Sequence, residues 1–326
     1  MQHGEHGAPR EGLGRRRFLG AAVAGLAVES VATATARAAQ EPAVPARRNP
    51  IGVSTYSFWQ FRQGAKRLTM VECIDRAAAL GFDGVEILHI QMEDESNSTL
   101  QRIKTHAHSL GLPLMGFSTH QGFVSPEAEE RRTNVQKTLY QIDVAYRLGI
   151  PTMRINTGRW GTIKSFDDFM VKKGIEPPLA GHDDEEAFKW VGDALEKLLP
   201  RAQDCGVVLG LENHWGLGRT AEGVLRLVES IKSPWLKITL DTGNFLDNSY
   251  EQMERLASSP VPIALVQAKT YYGGGRWYAL DLDYSKIAAI LRKHQYRGWI
   301  SLEFEGNDPP ESGLPKSLEL MRKNFG

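Results

Sequence analysis

Four side chains with metal-capable oxygens each close an apolar run. Glu212 ends Val207-Val208-Leu209-Gly210-Leu211, Asp241 ends Leu236-Lys237-Ile238-Thr239-Leu240, Gln267 ends Ile263-Ala264-Leu265-Val266, and Glu303 ends Trp299-Ile300-Ser301-Leu302. Such runs read as strands buried on both faces, as in a parallel sheet. Neighbouring runs are one strand, one helix and two loops apart, so the four side chains are expected at similar heights on successive strands. If the strands curve into a barrel, the side chains converge at its C-terminal mouth. Three carboxylates that close repel one another unless they share a cation. Oxygen donors favour a hard or borderline divalent ion, manganese first, magnesium as the alternative and zinc less suited. The competing reading is four unrelated strand-end polar residues, and their common phase along the chain argues against it.

The elements that must position this set alternate without a break. The first half reads as strand Ile51 to Ser57, helix Thr69 to Leu80 closed by Gly81, strand Gly84 to Leu88, helix Ser98 to Leu110, strand Leu114 to Thr119, a long helix Pro126 to Leu148 after an N-cap at Ser125, and strand Thr152 to Asn156. A helix from Asp184 to Asp204 leads into the Glu212 strand, and helices Ala221 to Ile231, Tyr250 to Ala257, Tyr284 to Gln295 and Leu314 to Lys323 follow the later strands. Eight strand–helix units predict a closed (β/α)8 TIM barrel. A doubly wound sheet is the alternative, but no G-x-G-x-x-G follows the first strand.

Composition excludes some function classes. With 39 basic and 39 acidic residues and a pI near 7.1, the chain has no electrostatic footprint for nucleic acid. Three segments are expected: residues 1–38 as an export signal, 39–49 as a linker, and 50–326 as the barrel. Arg15-Arg16-Arg17-Phe18-Leu19, the weakly apolar stretch that follows and Ala36-Arg37-Ala38 resemble a twin-arginine signal with its cleavage site. The apolar stretch is far short of the ~20 residues that a membrane span needs, so no stable anchor is expected. The resemblance implies the twin-arginine export machinery as a partner and a periplasmic address, where phosphorylated sugars are scarce. Cys73 and Cys205 are expected on separate outer helices as free, buried thiols.

The segments Leu211-Glu212-Asn213-His214, Leu240-Asp241-Thr242-Gly243-Asn244, Val266-Gln267-Ala268-Lys269 and Arg297-Gly298-Trp299-Ile300-Ser301-Leu302-Glu303 resemble the sugar phosphate isomerase/epimerase family with the xylose isomerase-like TIM barrel, as does Gly81-Phe82-Asp83-Gly84-Val85-Glu86-Ile87. The resemblance implies that Glu212, Asp241 and Glu303 hold a metal, with Gln267 where the family commonly carries histidine. An amide oxygen suits manganese or magnesium better than zinc. It further implies proton transfer next to a carbonyl through an enediolate, with Glu212 and Glu303 as both ligands and acid/base.

His214 shares strand parity with Glu212, so it is expected to face the same mouth as a third acid/base candidate, or else to be a loop histidine bonded to backbone. Lys269 is either a charge-balancing or substrate-binding residue or a surface ion pair. Glu86, His120, Arg154, Asn156, Asn244 and Arg276 are candidate sugar contacts. The long connection Thr157 to Asp183, with Trp160, Phe166 and a short helix around Phe166 to Lys172, is a candidate lid. The loop Thr270 to Leu280, with Tyr271, Tyr272, Arg276 and Trp277, is another.

The expected activity is that of a metal-dependent sugar isomerase or epimerase acting on an unphosphorylated sugar or derivative, with a homo-oligomer compatible. The same first step followed by loss of a β-substituent would give a 3-keto-glycoside lyase or hydrolase, or a keto-inositol dehydratase. A non-catalytic sugar-binding barrel is the alternative of another class.

Overall fold

The structure, a computed structural model, describes residues 48–62, 64 and 67–326. The expected export signal, and the linker up to residue 47, lie outside the described residues. Eight parallel strands close on themselves in sequence order: β1 (Ile51–Ser54), β2 (Gly84–Leu88), β3 (Leu114–Ser118), β4 (Thr152–Ile155), β5 (Val208–Glu212), β6 (Leu236–Asp241), β7 (Ile263–Thr270) and β8 (Ile300–Phe304). The ring closes where Ile51 pairs with Ile300.

Around the strands run α1 (Tyr56–Trp59), α2 (Met70–Leu80), α3 (Asn97–Ser109), α4 (Ala128–Leu148), α5 (Phe166–Val171), α6 (Asp184–Cys205), α7 (Ala221–Ile231), α8 (Ser249–Ala257), α9 (Tyr284–Lys293) and α10 (Pro310–Phe325). Local chemistry sets several ends. Thr69 and Glu72 form a reciprocal capping box at the start of α2, as do Asp183 and Glu186 at the start of α6. Gly81, Gly149 and Gly206 end α2, α4 and α6 in the left-handed region. No described helix is long and apolar enough to cross a membrane.

Strand alternation divides the side chains between two layers. Val85, Ile87, Phe117, Met153, Leu209, Leu211, Ile238, Leu240, Val266 and Leu302 join the apolar core that the helices cover. The alternate residues point into the barrel, where the upper interior is polar: Ser118 Oγ and Ser301 Oγ both donate to the Glu86 carboxylate, from opposite sides of β2.

Several boundaries differ from expectation, among them β7, which runs past Gln267 to Thr270, and α10, which starts at Pro310; two others have a clear side-chain cause. The first strand ends at Ser54 because the chain turns over into α1, where Ser57 and Gln60 use their side chains on β8: Ser57 Oγ donates to Leu302 O and accepts from Phe304 N, and Gln60 Nε2 donates to Phe304 O. Helix α4 starts at Ala128, with Glu127 rather than Ser125 at its N-cap; Ser125 Oγ instead accepts from Glu127 N at 3.1 Å in the preceding turn. Cys73 and Cys205 are free thiols on α2 and at the end of α6, the first buried and the second half-buried.

Candidate functional site

Register brings the four metal-capable side chains to one end of the barrel in two steps. Asp241 and Gln267 are direct cross-strand partners, whereas Glu212 pairs with Thr239 and Glu303 with Lys269. The stagger is the shear that a tilted, closed sheet requires. Asn213 fixes the β5–β6 junction, since its Oδ1 accepts from Asp241 N at 2.7 Å and its Nδ2 donates to Asp241 O at 2.9 Å.

Each carboxylate has a polar neighbour at both oxygens. Glu212 Oε1 accepts from Asn244 Nδ2 at 3.0 Å, and its Oε2 lies 3.3 Å from Arg154 Nε. Asp241 Oδ1 accepts from Gly243 N at 2.7 Å. The Lys269 ammonium stands 3.1 Å from Asp241 Oδ2, 2.9 Å from Glu303 Oε2 and 3.0 Å from Glu305 Oε1. Gly243 makes room for it, because a Cβ there would lie 2.5 Å from Lys269 Cδ. Lys269 is therefore no surface ion pair.

Burial sets the protonation behaviour. Desolvation pushes Glu212 up to about 8 and Asp241 up to about 7, each against the pull of its cationic neighbour, Arg154 and Lys269 respectively. Desolvation opposes the charge on Lys269, but Asp241, Glu303 and Glu305 outweigh it and hold its pKa well above the ordinary value. Desolvation, reinforced by Arg154, holds His214 well below its ordinary pKa and so neutral.

A cavity of about 330 Å³ opens above this floor, within the range of small-molecule sites. Glu212, Glu303, His214, His120, Arg154, Asn244 and Lys269 line it, and His214 does face the same mouth as Glu212. Asp241 and Gln267 are fully buried beneath it.

Three candidate sugar contacts stand elsewhere. Glu86 is sealed below the floor, where it accepts from Ser118, Ser301 and Gln267 Nε2, because its position on β2 is lower in the barrel than the mouth. Asn156 is spent on Gln121, exchanging bonds of 3.2 and 3.0 Å with its backbone and side chain. Arg276 turns away from the cavity to donate to Phe61 O at 3.0 Å and to stack on Trp277. In the first candidate lid Phe166 reaches the cavity but Trp160 does not, since its Nε1 donates to Asp184 Oδ1 and its ring packs on Trp190; in the second, Trp277 reaches it.

Sequence reasoning missed Glu305 and Tyr56, both cavity-lining. Glu305 was detectable, since it lies two residues past Glu303 and shares its parity. Tyr56 was hidden by reading Tyr56 and Ser57 as the end of a strand.

The donor chemistry can be tested against a divalent ion. Glu212 Oε2, Asp241 Oδ2 and Gln267 Oε1 are buried oxygens that accept no hydrogen bond, although the first two meet Arg154 and Lys269 as ion contacts. Glu86, Glu212, Asp241, Glu303 and Glu305 outnumber Arg154 and Lys269, so the pocket would be short of positive charge with all five ionised, and burial meets part of that deficit by raising the pKa of Glu86, Glu212, Asp241 and Glu305. An all-oxygen set of this kind suits manganese or magnesium. Among the described residues, however, no three His, Cys, Asp or Glu side chains are drawn together on one point. Lys269 occupies the approach to Asp241 and Glu303.

Residues 74–324 match the xylose isomerase-like TIM barrel family, and the chain belongs to it. Among solved structures it is similar to the apo form of a 3-keto-D-glucoside 4-epimerase from E. coli, with 18% identity and a TM-score of 0.65 over 85% of this chain and 100% of that one. A D-psicose 3-epimerase from Clostridium cellulolyticum H10 with D-tagatose is similar at 16% identity and a TM-score of 0.65, over 85% and 99% of the two chains. A D-allulose 3-epimerase from Methylomonas sp. in complex with D-allulose follows at 18% and 0.61, over 86% and 98%. At these identities the likeness is one of fold.

Proposed function

We propose that this protein is a sugar epimerase or isomerase that moves a proton on a carbon next to a carbonyl, acting on an unphosphorylated sugar or sugar derivative. The observation that carries this reading is the placement of Glu212 and Glu303, on strands three apart, in the wall of one cavity, each braced from behind. Two carboxylates flanking one substrate carbon can divide the work: one removes the proton and the other returns it from the opposite side. The names of the similar structures, all sugar epimerases, support the same class.

A divalent ion, manganese by preference, would be held by Glu212, Asp241, Gln267 and Glu303; when bound it supplies polarisation of the carbonyl and charge for the developing enediolate. The remaining work falls to the chain. Lys269 keeps Glu303 in place and offers an ammonium at the cavity wall. Asn244 orients Glu212. Neutral His214 is available to take a proton or to bind a sugar hydroxyl.

Expulsion of a β-substituent after the same first step, as in a 3-keto-glycoside lyase or a keto-inositol dehydratase, would need an acid for the leaving group, and His214 in the wall could serve only after taking a proton itself. The N-terminal twin-arginine pattern supports export to the periplasm.

The test is exchange. The full chain, loaded with manganese and incubated in deuterated water with a panel of keto sugars and keto-glycosides, is expected to place deuterium beside the carbonyl of at least one substrate, read by mass spectrometry or proton NMR. Absence of exchange across the panel would move the weight to a non-catalytic sugar-binding barrel.

A further inference from the structure

The cavity is polar at its floor and aromatic at its mouth. The mouth is lined by Phe61, Phe166, Trp215, Trp277 and Tyr278, while the cavity's cations, Arg154 and Lys269, both sit at the floor against carboxylates. Four segments far apart in sequence supply these rings. The turn after α1 brings Phe61, the connection after β4 brings Phe166, the turn after β5 brings Trp215, and the loop after β7 brings Trp277 and Tyr278. Phe166 meets Trp215 at 5.4 Å and Trp277 at 5.9 Å between ring centroids, so the segments join over the cavity.

Two of these rings are exposed where burial would be favourable. Phe61 is 37% and Trp277 45% exposed. Both are nevertheless held. Trp277 Nε1 donates to Tyr56 Oη at 3.1 Å, and the Arg276 guanidinium lies 5.0 Å from its ring centre while donating to Phe61 O.

Phe61 also carries a backbone cost. Gln60 and Phe61 have φ of 52° and 50°, two successive non-glycine residues in the left-handed region, a conformation that costs on the order of 1–3 kcal/mol per residue. The buried Gln60 side chain maintains it by donating to Phe304 O and accepting from Arg62 Nε at 2.7 Å. The ring so presented packs on Trp59 and Tyr56, at 4.1 and 5.7 Å between centroids, and still stands partly in solvent at the cavity's edge.

We infer that Phe61 and Trp277 form a subsite for a second ring, so that the substrate is a glycoside, with its reacting sugar on the polar floor and its aglycone ring against the aromatic mouth. This rests on the sugar-isomerising reading of the same cavity and specifies its substrate class. A flat or apolar-faced ring gains stacking area there. A phosphate gains less among the described residues, because Arg154 and Lys269 are engaged by carboxylates at the floor and Arg276, beside the mouth, donates to Phe61 O and covers the Trp277 ring.

Binding of unreactive probes tests the inference apart from turnover. Phenyl and methyl β-glycosides of glucose and galactose, with glucose 6-phosphate as the anionic arm, would be titrated into the full chain by calorimetry and tryptophan fluorescence. The phenyl glycoside of at least one sugar is expected to bind about tenfold or more tightly than its methyl counterpart, with glucose 6-phosphate no better than the methyl glycoside. In Phe61→Ala and Trp277→Ala that ratio should fall towards one, and Phe61→Leu and Trp277→Phe should retain part of it. Equal binding of phenyl and methyl glycosides, binding of none of the probes, tighter binding of the phosphate, or an unchanged ratio in both alanine variants would overturn the subsite. Failure of the subsite would not decide the deuterium-exchange test, which is made on the parent chain with smaller keto sugars, so the two readings fail separately.

Discussion

Lys269 and Glu303 are cross-strand partners on β7 and β8, and the ammonium of one lies 2.9 Å from Oε2 of the other. The same ammonium reaches Asp241 and Glu305, so a single cation bridges carboxylates from two flanking strands. A buried charge is tolerable only when its partners are present. The polar floor therefore depends on Lys269 for its assembly as well as for its chemistry.

Replacing Lys269 by Met should leave three buried carboxylates facing one another. The expected loss is about 3–5 kcal/mol of folding stability in the presence of chelator, read from urea denaturation at neutral pH. Manganese should restore part of it by supplying charge to the same oxygens. A variant as stable as the parent would show that the ammonium is dispensable to the floor.

Much of this arrangement was legible in the sequence because period and spacing encode it. The phase of the apolar runs places Glu212, Asp241, Gln267 and Glu303 on successive strand ends, and strand parity takes His214 to the mouth. What stayed hidden depends on side-chain reach. Nothing local says that Glu86 stops below the floor, that Asn156 is consumed by Gln121, or that Arg276 bends back onto Phe61 O. Glu305 was overlooked although the alternation that found Glu303 also points it inward.

Glu86 serves Gln267. The amide donates from Nε2 to the Glu86 carboxylate at 2.9 Å and to Glu303 Oε1 at 3.1 Å, both acceptors when ionised, and this leaves Oε1 unpartnered. Glu86→Met removes one of the acceptors that fix this orientation, the other carboxylate being Glu303. Manganese affinity, followed by titration with electron paramagnetic resonance detection, is expected to fall about 10–100-fold, the usual range for residues that orient a ligand. Unchanged affinity would dissociate Glu86 from the amide's orientation.

The seam between β2 and α10 carries a pH-dependent contribution. Asp83 accepts from Arg322 Nη1 and Nη2 at 2.6 and 2.7 Å and from Ile51 N at 2.7 Å. Desolvation alone would raise its pKa, but Arg322 and the Ile51 amide outweigh it and hold the carboxyl below its ordinary value. A depressed carboxylate stabilises the fold above its unfolded pKa and loses that contribution as pH falls through the folded one. Asp83→Asn should cost roughly 1 kcal/mol at pH 7, a figure kept small by solvent screening. The gap between variant and parent should close in acid, and a gap independent of pH would contradict the linkage.

Export is testable on the precursor. If the Arg15-Arg16 pair is read as guanidinium groups, its replacement by Lys-Lys should keep the protein in the cytoplasm with residues 1–38 attached, as seen by cell fractionation and intact mass. Processing and release of the Lys pair variant would remove the periplasmic reading, and with it the argument for an unphosphorylated substrate.

The proton itself gives the sharpest test. Glu303 faces the cavity with Oε2 on Lys269 and Oε1 on the Gln267 amide. Glu303→Gln preserves the volume of the side chain and an oxygen for ligation but abolishes its use as a base. Exchange of the substrate hydrogen into deuterated water should then slow by on the order of 10²-fold or more, with sugar binding measured by calorimetry much less affected. His214→Asn separates the two outcomes of the shared first step. If exchange persists while β-elimination is lost, His214 serves the leaving group and the enzyme is a lyase; if both persist, it is a binding residue of an epimerase. Full exchange and turnover in Glu303→Gln would end the role of Glu303 as base; among the described residues Glu305 is the remaining carboxylate that lines the cavity beside Glu212, and Glu305→Gln in the same assay would show whether it had taken the role.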